Sequence, residues 1–271
     1  MDRQHLYRSQ ILDHLGLVAG MFDELGIGEV IDHATQHNPE MRIVTAGQAV
    51  KAMVLNGLGL VNQPLDLVPR FFQDQPLSRL LAPCLLEAQH LNDDALGRAL
   101  ATRDDDGVTA LYRLLATTAA ARLGLTPRVA PLESTSFPVD GRYHSDDAPD
   151  EQVGHITRGY RRDHRPDLNQ VMLELMVEHH AGIPVRMKPL SGHSRDAPAF
   201  GPVIRAHMAP WHTTYGTPSL VADSALDSEA NLQKLSETGL KGLTRVPATL
   251  SEAQAALAQA APQTMAPRLD G

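Results

Sequence analysis

The spacing of apolar residues changes once along this 271-residue chain, near Gly124, and that change limits the folds open to it. Before Gly124, apolar residues recur at the three- and four-residue steps of an amphipathic helix. After it, short apolar runs rich in β-branched residues alternate with turn-forming stretches, which is typical of strands. The sequence therefore predicts an all-helical domain over residues 1–124 and a second domain over residues 125–271.

Helix-start signals support the helical prediction for the first domain. Thr45 is a candidate N-cap for the apolar-periodic stretch TAGQAVKAMVLNGLGLV. Asn92 is another, and two aspartates follow it in the first turn, where the helix dipole favours negative charge. The proline in PLSRLLAPCLLEAQHL predicts that a helix ends or kinks near Ala82.

The second domain shows a run of strands followed by helix, strand, helix and strand, an order that predicts one mixed α/β sheet. The pattern of residues 169–178 fits either a strand or a buried helix, and HHAG predicts a turn after it. We expect a helix over 195–208, capped by Asp196, and another over 228–239. The expected strands cover residues 129–140, 152–159, 169–178, 183–190, 218–224 and 242–247.

Composition narrows the class of protein. A net charge of −8 excludes a protein whose whole surface is basic for binding nucleic acid, although RGYRRDHR (158–165) has four arginines against one aspartate.

Membrane and secretion signals are missing from the sequence. No run of about 18 apolar residues occurs, and charged residues stand where a signal peptide has its apolar core. We therefore expect a cytoplasmic protein without membrane contact. The single cysteine, Cys84, excludes an internal disulfide and is most simply a small core residue. The adjacent His179 and His180 cannot both face one metal from a regular helix or strand, which favours a turn.

Two carboxylates occupy similar positions in the predicted strands. Glu133 follows an apolar run in RVAPLESTSFPVDG, Asp223 follows another in LVADSAL, and a serine comes next in both. Acids brought together at neighbouring strand ends repel each other unless a divalent cation such as Mg²⁺ neutralises them. Arginines nearby would suit phosphate recognition. The alternatives are that Asp223 caps the following helix, that either acid faces solvent, and that the arginines form a solvated loop.

The stretches LESTSF, GYRRDHRPDLNQ, PLSGHSRD and LVADSAL, in this order, resemble bacterial insertion-sequence transposases of the DDE class, which carry an RNase H-like catalytic core. The chain from about Leu15 to Gly124, including NDDALGRAL, resembles the helical domain that precedes this core in one such family. The resemblance implies an RNase H-like mixed sheet, incomplete here, after a helical domain. It also implies metal-dependent cleavage and transfer of DNA strands at insertion-sequence ends.

Carried over by position, Glu133 matches the first catalytic acid and Asp223 the second. The resemblance implies that these two acids and a later glutamate hold two Mg²⁺ or Mn²⁺ ions about 3.5 to 4 Å apart. It further implies that the chain binds DNA, and it is compatible with a homo-oligomer. The arginines expected to contact the phosphate backbone beside the active strand are Arg158, Arg161, Arg162 and Arg165.

The chain departs from the family pattern in several places. Glu133 stands where the pattern has aspartate, and a shift on the order of 1 Å in a reacting group can cost roughly 100-fold in rate. His193 stands where the pattern has asparagine, and Pro138 interrupts a strand. No glutamate has the context of the third acid: Glu229 and Glu237 follow Asp223 directly, and Glu252 begins an alanine-rich stretch. We therefore expect a transposase truncated before the third acid and inactive as it stands.

Two other functions fit the sequence. The first is a non-catalytic DNA-binding or oligomerising fragment derived from a transposase. The second is an unrelated metal hydrolase.

Overall fold

A computed structural model of the chain describes residues 12–35, 43–58, 64–81, 86–101, 107–126, 128–141, 143, 154–159, 168–194, 200–208 and 219–259. The chain divides into two compact units, Met1–Leu125 and Thr126–Gly271. None of the helices in these ranges is long and apolar enough to cross a membrane.

The described residues of the first unit form helices and turns and include no strand. Its buried core is built mainly from leucine, alanine and phenylalanine side chains, with Leu55, Phe72 and Leu91 fully buried. The helices are α1 (Asp13–Glu24), α2 (Ile27–Ala34), α3 (Ala46–Leu58), α4 (Val68–Phe72), α5 (Leu77–Leu80), α6 (Asp93–Ala101) and α7 (Val108–Arg122).

Both predicted N-caps of the first unit are present. The Thr45 hydroxyl accepts a hydrogen bond from the Gln48 amide at 3.1 Å, and the Gln48 side chain accepts one from the Thr45 amide at 3.1 Å. This reciprocal pair is a capping box, which satisfies two backbone donors at the start of α3. Asn92 Oδ1 accepts from the Ala95 amide at 2.9 Å at the start of α6. Helix α5 ends at Leu80, and Ala82 lies outside the described residues.

The second unit contains a mixed sheet, as the sequence predicts. Its strands are β1 (Val129–Val139), β2 (Thr157–Arg158), β3 (Asn169–Val177), β4 (Pro184–Ser191), β5 (Ser219–Ala222) and β6 (Lys241–Thr244). The order is β2-β3-β1-β5-β6, and β4 also pairs with β3. Strand β3 is antiparallel to β1, β2 and β4, whereas β5 is parallel to β1 and β6. Residues 169–177 are thus a strand and not a helix.

The strand predicted over 152–159 is much shorter in the structure. Only Thr157 and Arg158 form strand pairs, while 154–156 do not and 152–153 lie outside the described residues. Strand β4 occupies the edge of β3 from Val171 onward, so only Asn169 and Gln170 remain for β2. The prediction was wrong in length because another strand competes for the same edge.

One face of the sheet is covered by helices, and we call it the core face. Strand residues Ala130, Leu132 and Leu220 are buried there with side chains from three helical segments. The first is α8 (Phe200–Val203), the second is the π-helical turn that continues it at Ile204–Met208, and the third is α9 (Glu229–Glu237). A last helix, α10 (Ser251–Gln259), buries none of its residues. Asp196, the expected cap before α8, lies outside the described residues.

Candidate metal and nucleic-acid site

The parallel pairing of β1 with β5 brings the two candidate acids to one level. Val129 pairs with Ser219, and the register continues through Pro131 and Val221. Continued two residues further, this register sets Glu133 level with Asp223, which directly follows the last residue of β5. Neighbouring strands lie about 4.8 Å apart, so the two backbones are close at this point.

Both acids project from the same side of the sheet, which we call the outer face. Successive side chains of a strand point to opposite faces. Since Leu132 is buried in the core face, Glu133 points the other way. Asp223 follows Ala222, which packs against the core face, and the same alternation carried one residue past β5 turns Asp223 to the outer face; both acids are exposed. The helix after Asp223 has its own cap, because Ser228 Oγ accepts from the Asn231 amide at 3.4 Å. Capping of α9 is therefore not the role of Asp223.

The row of charged residues continues onto β6. Ala222 pairs with Thr244, so one residue further Arg245 stands level with Asp223. The Thr244 hydroxyl donates to the Asp223 carbonyl oxygen at 2.5 Å, which ties these strand ends together. A Cβ at Gly242 would lie 2.6 Å from Leu235 on the core face, so Thr244, two residues on, belongs to the same face. The alternation carried one residue past the end of β6 turns Arg245 to the outer face, and Arg245 is exposed. Arg245 cannot be recognised from the sequence alone, because GLTRVP indicates a strand but not its partner or register.

Two of the candidates for a third acid, Glu229 and Glu237, lie on the side of the sheet opposite to Glu133 and Asp223. Leu235 of α9 belongs to the buried cluster of the core face, so Glu229 and Glu237 are carried by a helix on that face. Within the described ranges, no group of three or more His, Cys, Asp or Glu side chains could hold a metal ion. The described outer face therefore supplies two acids for a cation, Glu133 and Asp223.

The basic segment begins at the far end of the sheet from Glu133. Arg158 is exposed on β2 and pairs with Asn169, which in turn pairs with Val139 of β1. Val139 lies six residues beyond Glu133, or about 20 Å at about 3.3 Å per residue. Strand β3 also separates β2 from β1, so Arg158 is not beside the strand of Glu133. The other predicted DNA contacts, Arg161, Arg162 and Arg165, lie outside the described residues.

The motifs GYRRDHRPDLNQ and PLSGHSRD meet at the base of this basic segment. Gln170 is fully buried, and its Nε2 donates to the Gly192 carbonyl oxygen at 2.5 Å. A Cβ at Gly159 would overlap that carbonyl and the Gln170 amide, so only glycine fits there. The Thr157 hydroxyl and His193 Nδ1 are 3.2 Å apart. His193, which departs from the family pattern, thus contacts β2.

The predicted HHAG turn joins β3 to β4 and is organised by Glu178. This side chain is fully buried, and its carboxylate accepts from the amides of His180 and Ala181, each at 2.7 Å. Burial acts to raise the pKa of Glu178, but the two N–H donors and the neighbouring histidines outweigh it, so its pKa lies below the usual value. His179 and His180 therefore belong to a turn, as the sequence predicts.

Comparison with known proteins gives matches of three kinds. A family model described as "Domain of unknown function (DUF4277)" matches residues 7–117. No curated protein matches the chain. Among solved structures, the chain is similar to a piggyBac transposase synaptic complex with hairpin DNA, with 12% identity over 93% of this chain and a TM-score of 0.38. This chain covers 55% of the length of that one.

Two Mos1 structures are also similar. The Mos1 transposase paired-end complex with left transposon end shows 9% identity, covering 79% of this chain and 63% of that one, with a TM-score of 0.29. A pre-cleavage Mos1 transpososome shows 9% identity, covering 74% of this chain and 79% of that one, with a TM-score of 0.27.

Proposed function

We propose that this chain is a transposase, or a fragment of one, from a bacterial insertion sequence of the DDE class with an RNase H-like core. Its family chemistry is metal-dependent cleavage and transfer of DNA strands. The observation that carries the proposal is the register that sets Glu133 level with Asp223 on the outer face. The motif resemblance selects the same two residues independently of strand pairing.

The two acids fit a divalent cation. They are oxygen donors, they are exposed, and they project from one face of two adjacent strands. Mg²⁺ is commonly held by one or two carboxylates, with water and phosphate oxygens in its other positions. When bound, such ions supply activation of the attacking oxygen and stabilisation of the leaving oxygen. Glu133 and Asp223 would hold the ion, and the buried Leu132 and Leu220 beside them hold the two strands in place.

The described residues do not complete a three-acid site, and we propose that the 271-residue chain does not cleave DNA. Glu133 is also one methylene longer than the family's aspartate, and small displacements of reacting groups cost large factors in rate. This favours a second function: a non-catalytic DNA-binding or oligomerising fragment of a transposase. Both functions have DNA at insertion-sequence ends as partner, and they differ in whether a cation binds.

Mn²⁺ binding tests the site. The wild-type chain should bind Mn²⁺, and Glu133→Gln and Asp223→Asn should each weaken binding about tenfold or more. One unit charge at about 4 Å contributes about 1 to 4 kcal/mol between water and a protein surface. The measurement is titration calorimetry or the loss of free Mn²⁺ signal in electron paramagnetic resonance. Glu229→Gln is the matched control, since α9 lies on the core face, and should leave binding unchanged.

Equal Mn²⁺ affinity in the wild type and both site variants would remove the cation site and leave the non-catalytic function. The same preparations should show no strand cleavage with Mn²⁺ on DNA bearing the element's ends. Cleavage that Asp223→Ala abolishes would contradict the inactive state and require a third ligand.

A further inference from the structure

Arg245 completes a row of charged residues on the outer face. In this row Glu133 lies on β1, whereas Asp223 and Arg245 directly follow the last residues of β5 and β6. The registers of β1 with β5 and of β5 with β6, continued past the last printed pairs, set the three residues at one level. Each backbone lies about 4.8 Å from the next. All three residues are exposed to solvent.

We propose that Arg245 binds a phosphate of DNA beside the cation held by Glu133 and Asp223, so that the row forms one site for a phosphodiester. This inference rests on the proposed function, because it needs the two acids to hold a cation. Carboxylates repel a phosphate until a cation neutralises them. A guanidinium next to them offers planar, bidentate hydrogen bonds to phosphate oxygens that a metal ion does not provide.

Arg245 and Lys241 differ in their distance from the two acids. Lys241 shares the outer face of β6 but pairs with Ser219, four residues before Asp223. It therefore stands about 13 Å from the row of acids, at about 3.3 Å per residue. Arg245 directly follows β6 at the level of the acids. Lys241 carries the same charge farther from them, so it is a matched control.

The alternative role for Arg245 is a surface ion pair with Asp223. The two roles differ in what DNA binding does when metal is present. An ion pair would be displaced by the cation, and DNA affinity would not depend on Arg245. A phosphate ligand would contribute to DNA affinity most when the cation has removed the repulsion of the two acids.

The test measures Mn²⁺ affinity, and the affinity for a short DNA duplex with and without Mn²⁺, in the full chain. Arg245→Ala should raise Mn²⁺ affinity about two- to tenfold, because it removes a positive charge near the cation. It should also lower the Mn²⁺-dependent gain in DNA affinity about tenfold and reduce the salt slope by about 0.9. These opposite directions cannot come from partial unfolding, which would weaken both. Arg245→Gln, which keeps most of the side-chain stem, should behave in the same way.

Lys241→Ala should leave Mn²⁺ affinity and the Mn²⁺-dependent gain unchanged. If Glu133→Gln and Asp223→Asn weaken Mn²⁺ binding but both Arg245 variants keep the full gain in DNA affinity, the phosphate role of Arg245 is wrong and the cation site stands. If the two acid variants bind Mn²⁺ as well as the wild type, the proposed cation site is wrong, the role of Arg245 is wrong with it, and the non-catalytic function is left.

Discussion

Three glutamates in or directly after the strands of the second unit have different surroundings. Glu133 is exposed on the outer face, where water or a cation can solvate it. Glu174 is buried and forms an ion pair with buried Arg186, and burial lowers the pKa of Arg186 to about 10. Glu178 is buried at the β3–β4 turn and accepts two backbone hydrogen bonds. A charge in a strand pattern therefore indicates a special site only once its face and partners are known.

Glu178 should make stability depend on pH. Its pKa is lower in the folded chain than in the unfolded chain, so its contribution is present above the unfolded value and is lost as pH falls through the folded value. Glu178→Gln should lower the free energy of unfolding at pH 7 by about 1.5 to 3 kcal/mol, the range for a hydrogen bond to a charged group. Urea unfolding at pH 7 and near pH 3 measures this. The difference from wild type should shrink at the lower pH.

The exposed Asp140→Asn serves as the control, with little change at either pH. A Glu178→Gln penalty of equal size at both pH values would show that the carboxylate charge does not stabilise the turn.

Helices α2 and α3 pack closely because Gly47 has no side chain where they meet. A Cβ at Gly47 would overlap the Gly28 carbonyl oxygen and lie 2.8 Å from its Cα, so the two helices touch through their backbones. Asp32 Oδ1 also accepts from the Gly47 amide at 2.7 Å, which links α2 to the start of α3. The glycines here permit helix packing and are not turn signals.

Two glycines of α3 should respond oppositely to alanine. Gly47→Ala forces backbone atoms apart and should destabilise the first unit by about 1 to 3 kcal/mol. Gly57→Ala has nothing within 4 Å and should stabilise it by about 0.5 to 1 kcal/mol, through helix propensity. Thermal or urea unfolding of both variants provides the measurement. Equal effects of the two substitutions would contradict the close approach of α2 and α3.

At the scale of the whole molecule, charge limits how DNA can bind. The chain carries a net charge of −8, so attraction to phosphate must be local. The basic residues proposed for it are Arg245 in the row of acids and the arginines of 158–165, whose first member lies near the end of β1 remote from Glu133. We therefore expect weak binding that depends steeply on salt.

Replacing Arg158, Arg161, Arg162 and Arg165 together with alanine should weaken DNA binding with little dependence on sequence. The slope of log affinity against log salt should fall by about 0.9 for each phosphate that the variant no longer binds. Fluorescence anisotropy across a salt series measures both quantities. Lysine at the same four positions keeps the charge and should keep the slope. An alanine variant that binds like wild type would assign the segment to a solvated loop.

Local features of this protein could be predicted from the sequence. The caps at Thr45 and Asn92, the helix at 229–237 and the turn after Val177 follow from interactions between residues a few positions apart, which a short stretch of sequence contains. The sequence also indicated a mixed sheet, because apolar runs of strand length alternate with helical stretches.

The lengths, partners and faces of the strands depend on contacts between distant parts of the chain. Strand β2 is short because β4 already occupies the edge of β3. The row of Glu133, Asp223 and Arg245 depends on pairing between strands far apart in the chain, and a shift of one residue would move a side chain to the other face. The period within a strand shows which residues alternate. It does not show which strand lies alongside or at what level, since long-range packing of the core face selects both.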